Sequence, residues 1–141
     1  MIKHNLNLVR NAVTKATKSL DDGARNARDE MAMALTQLAK EEIKGKRGKT
    51  NGVWDKATSG QPPMNRTGNL RRSIRAEKHK EGFAKYSAIV GPTIIYGRVV
   101  ELGGNPHWAA GTKFPYMAPA FKKFRVVAPN IVRKHLAIGG K

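Results

Sequence analysis

The sequence predicts an α+β fold: a long N-terminal helix and a C-terminal helix packed on a small antiparallel sheet. The first reason is helical spacing of apolar residues across 6–43. The second is a pair of alternating segments around a Gly-containing turn at 73–91. The third is another helical stripe at 117–138. Helices on one side of a hairpin that alternates in-facing and out-facing residues define this class.

Over 6–43 the apolar positions are Val9, Val13, Ala16, Leu20, Ala24, Ala27, Met31, Ala34 and Leu38. Steps of 3 and 4 keep them on one face of a 3.6-residue helix. Gly23 costs about 1 kcal/mol there and is tolerated. A straight helix of this length reaches roughly 55 Å, more than the width of a globule this small. Either part of the stripe packs on another subunit, or the helix bends near Asp21–Gly23 and packs wholly on its own sheet. Its acids read as a solvated face.

Residues 44–66 are rich in Gly, Lys, Ser, Thr, Asn and Pro and read as a flexible basic loop. Trp54 is its one large apolar residue. It either anchors the loop to its own fold or enters a partner's pocket. Thr67 is placed to cap a short turn carrying Arg71 and Arg72. Strands follow over "SIRAEKHK" and "FAKYSAIVG", with "KEGF" as the turn. "PTIIYGRVVELGG" reads as a short helix that buries Ile95, Val99 and Leu102, with Gly103 as its C-cap. "NPHWAAGTKFPY" is a loop with room for a third strand at its end. In the closing helix Ala120, Phe121, Phe124, Val127, Ala128, Ile131, Val132 and Leu136 form the apolar stripe, and Pro129 is expected to kink it.

Composition narrows the chemistry. The 141 residues suit one domain spanning 1–141. There is no Cys, and the 4 His are scattered, so neither a disulfide framework nor a metal-ligand pattern is present. No metal, cofactor or catalytic residue is expected. No apolar run is long enough to cross a membrane, and the opening "MIKHNLNLVRN" lacks a signal peptide's apolar region. Synthesis inside a cell is the expectation. With 27 Lys and Arg against 10 Asp and Glu, the net charge is +17. Polyanions are the natural partners, nucleic acid first and acidic protein surfaces second. Residues 102–141 carry seven bases and no acid.

Enzyme chemistry finds little support. "GKRGKTNG" has the GKT tail of a phosphate-binding loop, but its glycines are wrongly spaced and no strand precedes it. Paired carboxylates or a nucleophilic triad are not recognisable. Glu101, the last acidic residue, poses the one real question: catalytic carboxylate or structural joint. Arg98 stands three residues before it, at helical pairing distance, and Tyr96, Gly97 and Gly103 surround it. These residues read as a packed joint.

Three segments in order, "RTGNLRRSI", "IIYGRVVELGG" and "FPYMAPAFKK", resemble the tail-completion or neck family of tailed phages, typified by the tenth gene product of a lambdoid siphophage. The matching positions are Thr67, Gly68, Leu70, Arg71, Ser73 and Ile74. They continue with Tyr96, Val100, Glu101, Leu102 and Gly103, and end with Pro115, Met117, Pro119 and Ala120. Gly97 stands where that pattern usually has Ala. The preceding long helix fits as well, so the likeness spans roughly residues 5–138.

The resemblance implies a structural virion protein, made in the host cytoplasm and not an enzyme. It implies a homo-oligomeric ring at the head–tail junction, most simply a hexamer, with a dodecamer as the other count. Its neighbours would be connector or stopper proteins and tail terminator or tail tube proteins, and genomic double-stranded DNA would pass through it without sequence-specific contact. On that reading Arg71, Arg72, Lys122, Lys123 and Arg125 contact DNA or acidic partners, and Trp54 and Trp108 anchor interfaces. The alternative is a free, non-specific nucleic-acid-binding protein.

Overall fold

The computed structural model describes residues 2–43, 49–50, 53–54, 58–63 and 67–136. Helix α1, Ile2–Glu42, is continuous through Gly23. Strands β1, Lys49–Thr50, and β2, Val53–Trp54, pair antiparallel inside the stretch read as a structureless loop. Helix α2 spans Asn69–Ser73, followed by β3, Ile74–Gly82, and β4, Lys85–Pro92. Helix α3 is Tyr96–Leu102 and α4 is Met117–Leu136. The architecture is α+β, with both long helices and the two-stranded β3–β4 sheet meeting around α1.

The hairpin and α1 match in length. Ile74, at one end of β3, packs with Ala39 and Ile43 of α1. The turn at the other end is held by Asp21, whose carboxylate accepts the Ala84 N–H and the Tyr86 hydroxyl, both at 2.8 Å. From Asp21 to Ala39 the helix climbs about 27 Å, and β3 covers about the same distance. The even-numbered residues of β3 face α1: Ile74 enters the core, while Lys78 and Lys80 reach Asp29 and Asp21. The alternation expected for the second strand holds, with Tyr86, Ala88 and Val90 more buried than Lys85 and Ile89. The turn itself is shifted. β3 runs through Gly82, and Phe83–Ala84 make the bend, with Ala84 at φ 49°.

Helix α4 runs antiparallel to α1. Lys123 pairs with Glu42 near one end, and Lys134 and His135 pair with Glu30 near the other. Four of the six acids of α1 are therefore not a solvated face; Asp22 and Glu41 pair along the helix itself. Asp21 and Asp29 bind the sheet, and Glu30 and Glu42 bind α4. Hydrogen bonds hold two of these carboxyls below their usual range. For Asp21 the main donor is the Ala84 N–H, then the Tyr86 hydroxyl. For Glu30 it is His135, then Lys134.

The fold uses only part of α1. The hairpin ends at Asp21, and α4 ends near Gly23. Residues 6–19 are exposed throughout, and the apolar stripe that packs further along runs on over them with none of the described elements on it. Leu6, Val9 and Val13 are 56–62% exposed. At about 1.5 Å per residue, this stretch projects some 20 Å or more beyond the core.

At Gly23 the end of α4 passes directly against α1. A Cβ there would lie 2.5 Å from the His135 carbonyl oxygen, a backbone atom that moves only if α4 moves. Helix propensity alone favours Gly23→Ala by about 1 kcal/mol. The overlap outweighs this, so the variant is expected to lose about 1–2 kcal/mol net. Urea unfolding of the two proteins measures it, and a gain in stability would contradict the packing.

Candidate functional site

The site is built on the start of α4. A helix begins with N–H groups that have no partner within it. Here Glu101, from α3, supplies the acceptor. Its Oε2 accepts from Tyr116 N at 2.6 Å and Met117 N at 2.9 Å, and its Oε1 accepts from Ala118 N at 2.9 Å. Pro119 has no N–H, and Ala120 N–H reaches the Tyr116 carbonyl at 3.4 Å. Every donor of the opening turn is thus accounted for. The first turn of α4 holds no acid of its own, so Glu101 also places the negative charge that a helix N-terminus favours.

The chain between α3 and α4 is folded to make this possible. Gly103, at φ 84°, ends α3, and its N–H returns to the Val99 carbonyl. That backbone angle favours Gly. A Cβ at Gly103 would also meet the Thr112 carbonyl at 2.6 Å, so the returning chain passes directly against it. Phe114 N–H then bonds to the Val100 carbonyl at 2.8 Å. Trp108 packs edge-on against Phe114 with ring centroids 5.2 Å apart, which makes it an anchor of this loop within its own subunit. No strand forms in 103–116, where a third one had room.

Tyr116 closes the joint from below. It is fully buried, and its hydroxyl donates to the Gly97 carbonyl at 3.2 Å. A Cβ on Gly97 would lie 2.5 Å from the Pro92 ring, so the residue must be small for α3 to sit on Pro92 and Tyr116. Burial pushes the Tyr116 hydroxyl up to about 12, helped by the nearby Glu101 carboxylate and Tyr96.

Two expectations about α3 fail. Ile95 and Leu102 do not form its buried face; they are 95% and 64% exposed, because the helix lies on Gly97 and Val100 instead. Glu101 does not pair with Arg98, since the N–H groups of α4 take both of its oxygens. Ile95 and Leu102 line an open hollow beside the joint, together with Pro92 and Met117. Thr67 does not cap α2 directly either: Gly68 is its N-cap, and the Thr67 hydroxyl accepts weakly from Asn69 N at 3.4 Å.

The candidate contact residues separate into groups. Arg72 folds back onto the Thr67 carbonyl and Asn69. Lys123 is held by Glu42. Arg71, Lys122 and Arg125 are exposed and have no carboxylate partner among the described residues. On α4, Lys122, Arg125 and Arg133 share the outward face. Arg133 was not among the candidates, although the helical spacing places it with them. Trp54 lies in β2, and its side chain falls outside the described residues.

Among the described residues, no cluster of His, Asp and Glu is arranged to hold a metal, and no helix is long and apolar enough to cross a membrane. In comparisons with known proteins, no family model, curated protein or solved structure matches the chain.

Two substitutions test the joint. Glu101→Ala leaves the opening N–H groups of α4 without their acceptor and should cost about 2–3 kcal/mol. That is a fall of several degrees in melting temperature for a domain of this size, with Glu101→Gln intermediate. Tyr116 gives a pH signature. Its raised pKa adds stability that is complete below the unfolded value near 10 and is lost as pH rises towards 12. Urea midpoints followed from pH 9 to 12 should therefore fall more steeply for the native protein than for Tyr116→Phe.

Proposed function

We propose that this chain is a structural protein of a tailed-phage virion. It forms a homo-oligomeric ring at the head–tail junction, joins connector to tail and surrounds the DNA channel. The observation that carries this reading is the projecting end of α1. An apolar stripe continuing out of a packed interface is a surface that a neighbouring subunit would cover. A projecting element on one side and a receiving surface elsewhere on the next copy make a head-to-tail contact, which closes into a ring when the rotation permits.

The arrangement around Glu101 supports the same reading. The three segments that resemble the neck family are far apart in sequence, yet they meet at one place. Leu70 and Ile74 from the first, Val100 from the second, and Tyr116, Met117 and Ala120 around the third share a single cluster. Glu101 ties the second to the third by hydrogen bonds. Residues that carry such a likeness by holding a joint suit an assembly protein better than an enzyme.

The outer face of α4 would then meet DNA in the channel or an acidic neighbouring ring. It favours equally a second reading, a free protein that binds nucleic acid without sequence preference. The two differ in what the end of α1 does.

Removing residues 1–19 separates them. The ring reading expects a folded monomer, with the melting temperature nearly unchanged and the oligomer seen by size-exclusion chromatography with light scattering lost. Imaging of virions should show a symmetric ring of the full chain at the neck. A full chain that is monomeric at all concentrations and missing from particles would refute it. For the cationic face, each phosphate contact contributes about −0.9 to the slope of log K against log salt. Lys122→Ala with Arg125→Ala should reduce the slope by about 2 with duplex DNA.

A further inference from the structure

On the flank of α1, beside the edge of β3 that β4 does not occupy, lies an open groove of roughly 620 Å³. Met33, Ile74 and Ala76 provide apolar surface, and Lys40, Arg71 and Arg75 stand along it. Met33 is 71% exposed and lies beside Ile74, which is fully buried. None of the three cations has a carboxylate partner among the described residues. Glu41 also reaches the groove, and its carboxylate accepts from the Gln37 amide.

We propose that this groove binds an extended acidic segment of a partner protein, in which apolar and acidic side chains alternate, added as a strand along the free edge of β3. Three features of the groove require such an occupant. In a two-stranded sheet, alternate residues of β3 direct N–H and C=O groups away from β4, and an added strand pairs with them. Side chains of an added strand alternate between its two faces. Those facing α1 would lie over Met33 and Ala76, where apolar groups fit. On the other face β3 presents Arg75 and then Glu77, so carboxylates fit at the end near Ile74, where Arg71 and Lys40 stand with Arg75.

Charge decides between possible occupants. A second copy of β3 would bring Arg75, Lys78 and Lys80 to an edge already lined by Lys40, Arg71 and Arg75, and it offers only Glu77 and Glu81 in return, fewer carboxylates than an acidic segment supplies. A nucleic acid backbone would satisfy the cations but would leave both Met33 and the open strand edge unused. The site does not depend on the ring reading and stands on the groove alone.

The test uses fluorescence anisotropy with the full chain and a labelled decapeptide alternating Glu and Val. A Glu–Ser decapeptide of equal charge is the first control. A Glu–Val peptide N-methylated at alternate residues, which cannot complete the strand pairing, is the second. The Glu–Val peptide is expected to bind at least about tenfold tighter than either control. Met33→Asp and Arg75→Glu, both at exposed positions, should each weaken it by about tenfold while leaving the melting temperature unchanged. Equal affinity for the two unmethylated peptides, or indifference to N-methylation, would reduce the groove to a charged surface and overturn the proposal. So would absence of peptide binding, or loss of duplex DNA binding in these variants while the peptide still binds.

Discussion

The acceptance of the first N–H groups of α4 by the Glu101 carboxylate is the constraint on which the rest of this structure depends. Helix α4 cannot satisfy its own opening turn, and its sequence offers no capping side chain there. The acceptor has to come from another element. That requirement fixes where α3 ends, obliges the chain to turn at Gly103, and brings residues 112–116 back along α3. It also places Tyr116 under Gly97 and Pro92. With its start fixed, α4 lies antiparallel along α1 and is held by Glu42 and Glu30. The answer to whether Glu101 is a catalyst or a joint follows from its oxygens: both are engaged by backbone donors.

Charge is organised by the same fold. Four acids of α1, Asp21, Asp29, Glu30 and Glu42, reach the sheet or α4, while Asp22 and Glu41 bind Arg25 and Gln37 of their own helix. Cations without a carboxylate partner among the described residues gather on the outer face of α4, in the groove beside β3 and on the projecting helix, while Glu77 and Glu81 stay exposed on the hairpin. A large positive net charge thus becomes separate surfaces with different companions. The face of α4 offers Lys122, Arg125 and Arg133 around the exposed Val126, with no strand edge beside them. The groove offers charge next to apolar surface and an open strand edge. This difference in chemistry is why we assign them different partners.

Much of the architecture was legible in the sequence. The period of apolar residues marked α1 and α4, and the alternation of Tyr86, Ala88 and Val90 marked the buried side of the second strand. Errors arose where a single local pattern was asked to name a tertiary contact. Ile95, Val99 and Leu102 have helical spacing, yet α3 buries Gly97, because close approach to Pro92 and Tyr116 outweighed side-chain area. Arg98 and Glu101 have pairing distance, yet a set of unsatisfied N–H groups from a distant helix was the stronger claim on the carboxylate. The hairpin turn moved by two residues, to Phe83–Ala84, where Asp21, more than sixty residues earlier in the chain, holds Ala84 in place.

By itself, then, the sequence determined the class of fold, the long helices, the hairpin, and the excess of positive charge, since each depends on composition or on a period within one segment. It also marked Glu101 as a joint. Only the tertiary structure decided what that joint holds, which acids are used inside, which cations are left free, and how far α1 outruns the core. Those depend on distances between elements remote in the chain. The hairpin reaches from Ala39 only to Asp21, and α4 only to Gly23, so the continuous stripe of α1 is packed along one half and bare along the other.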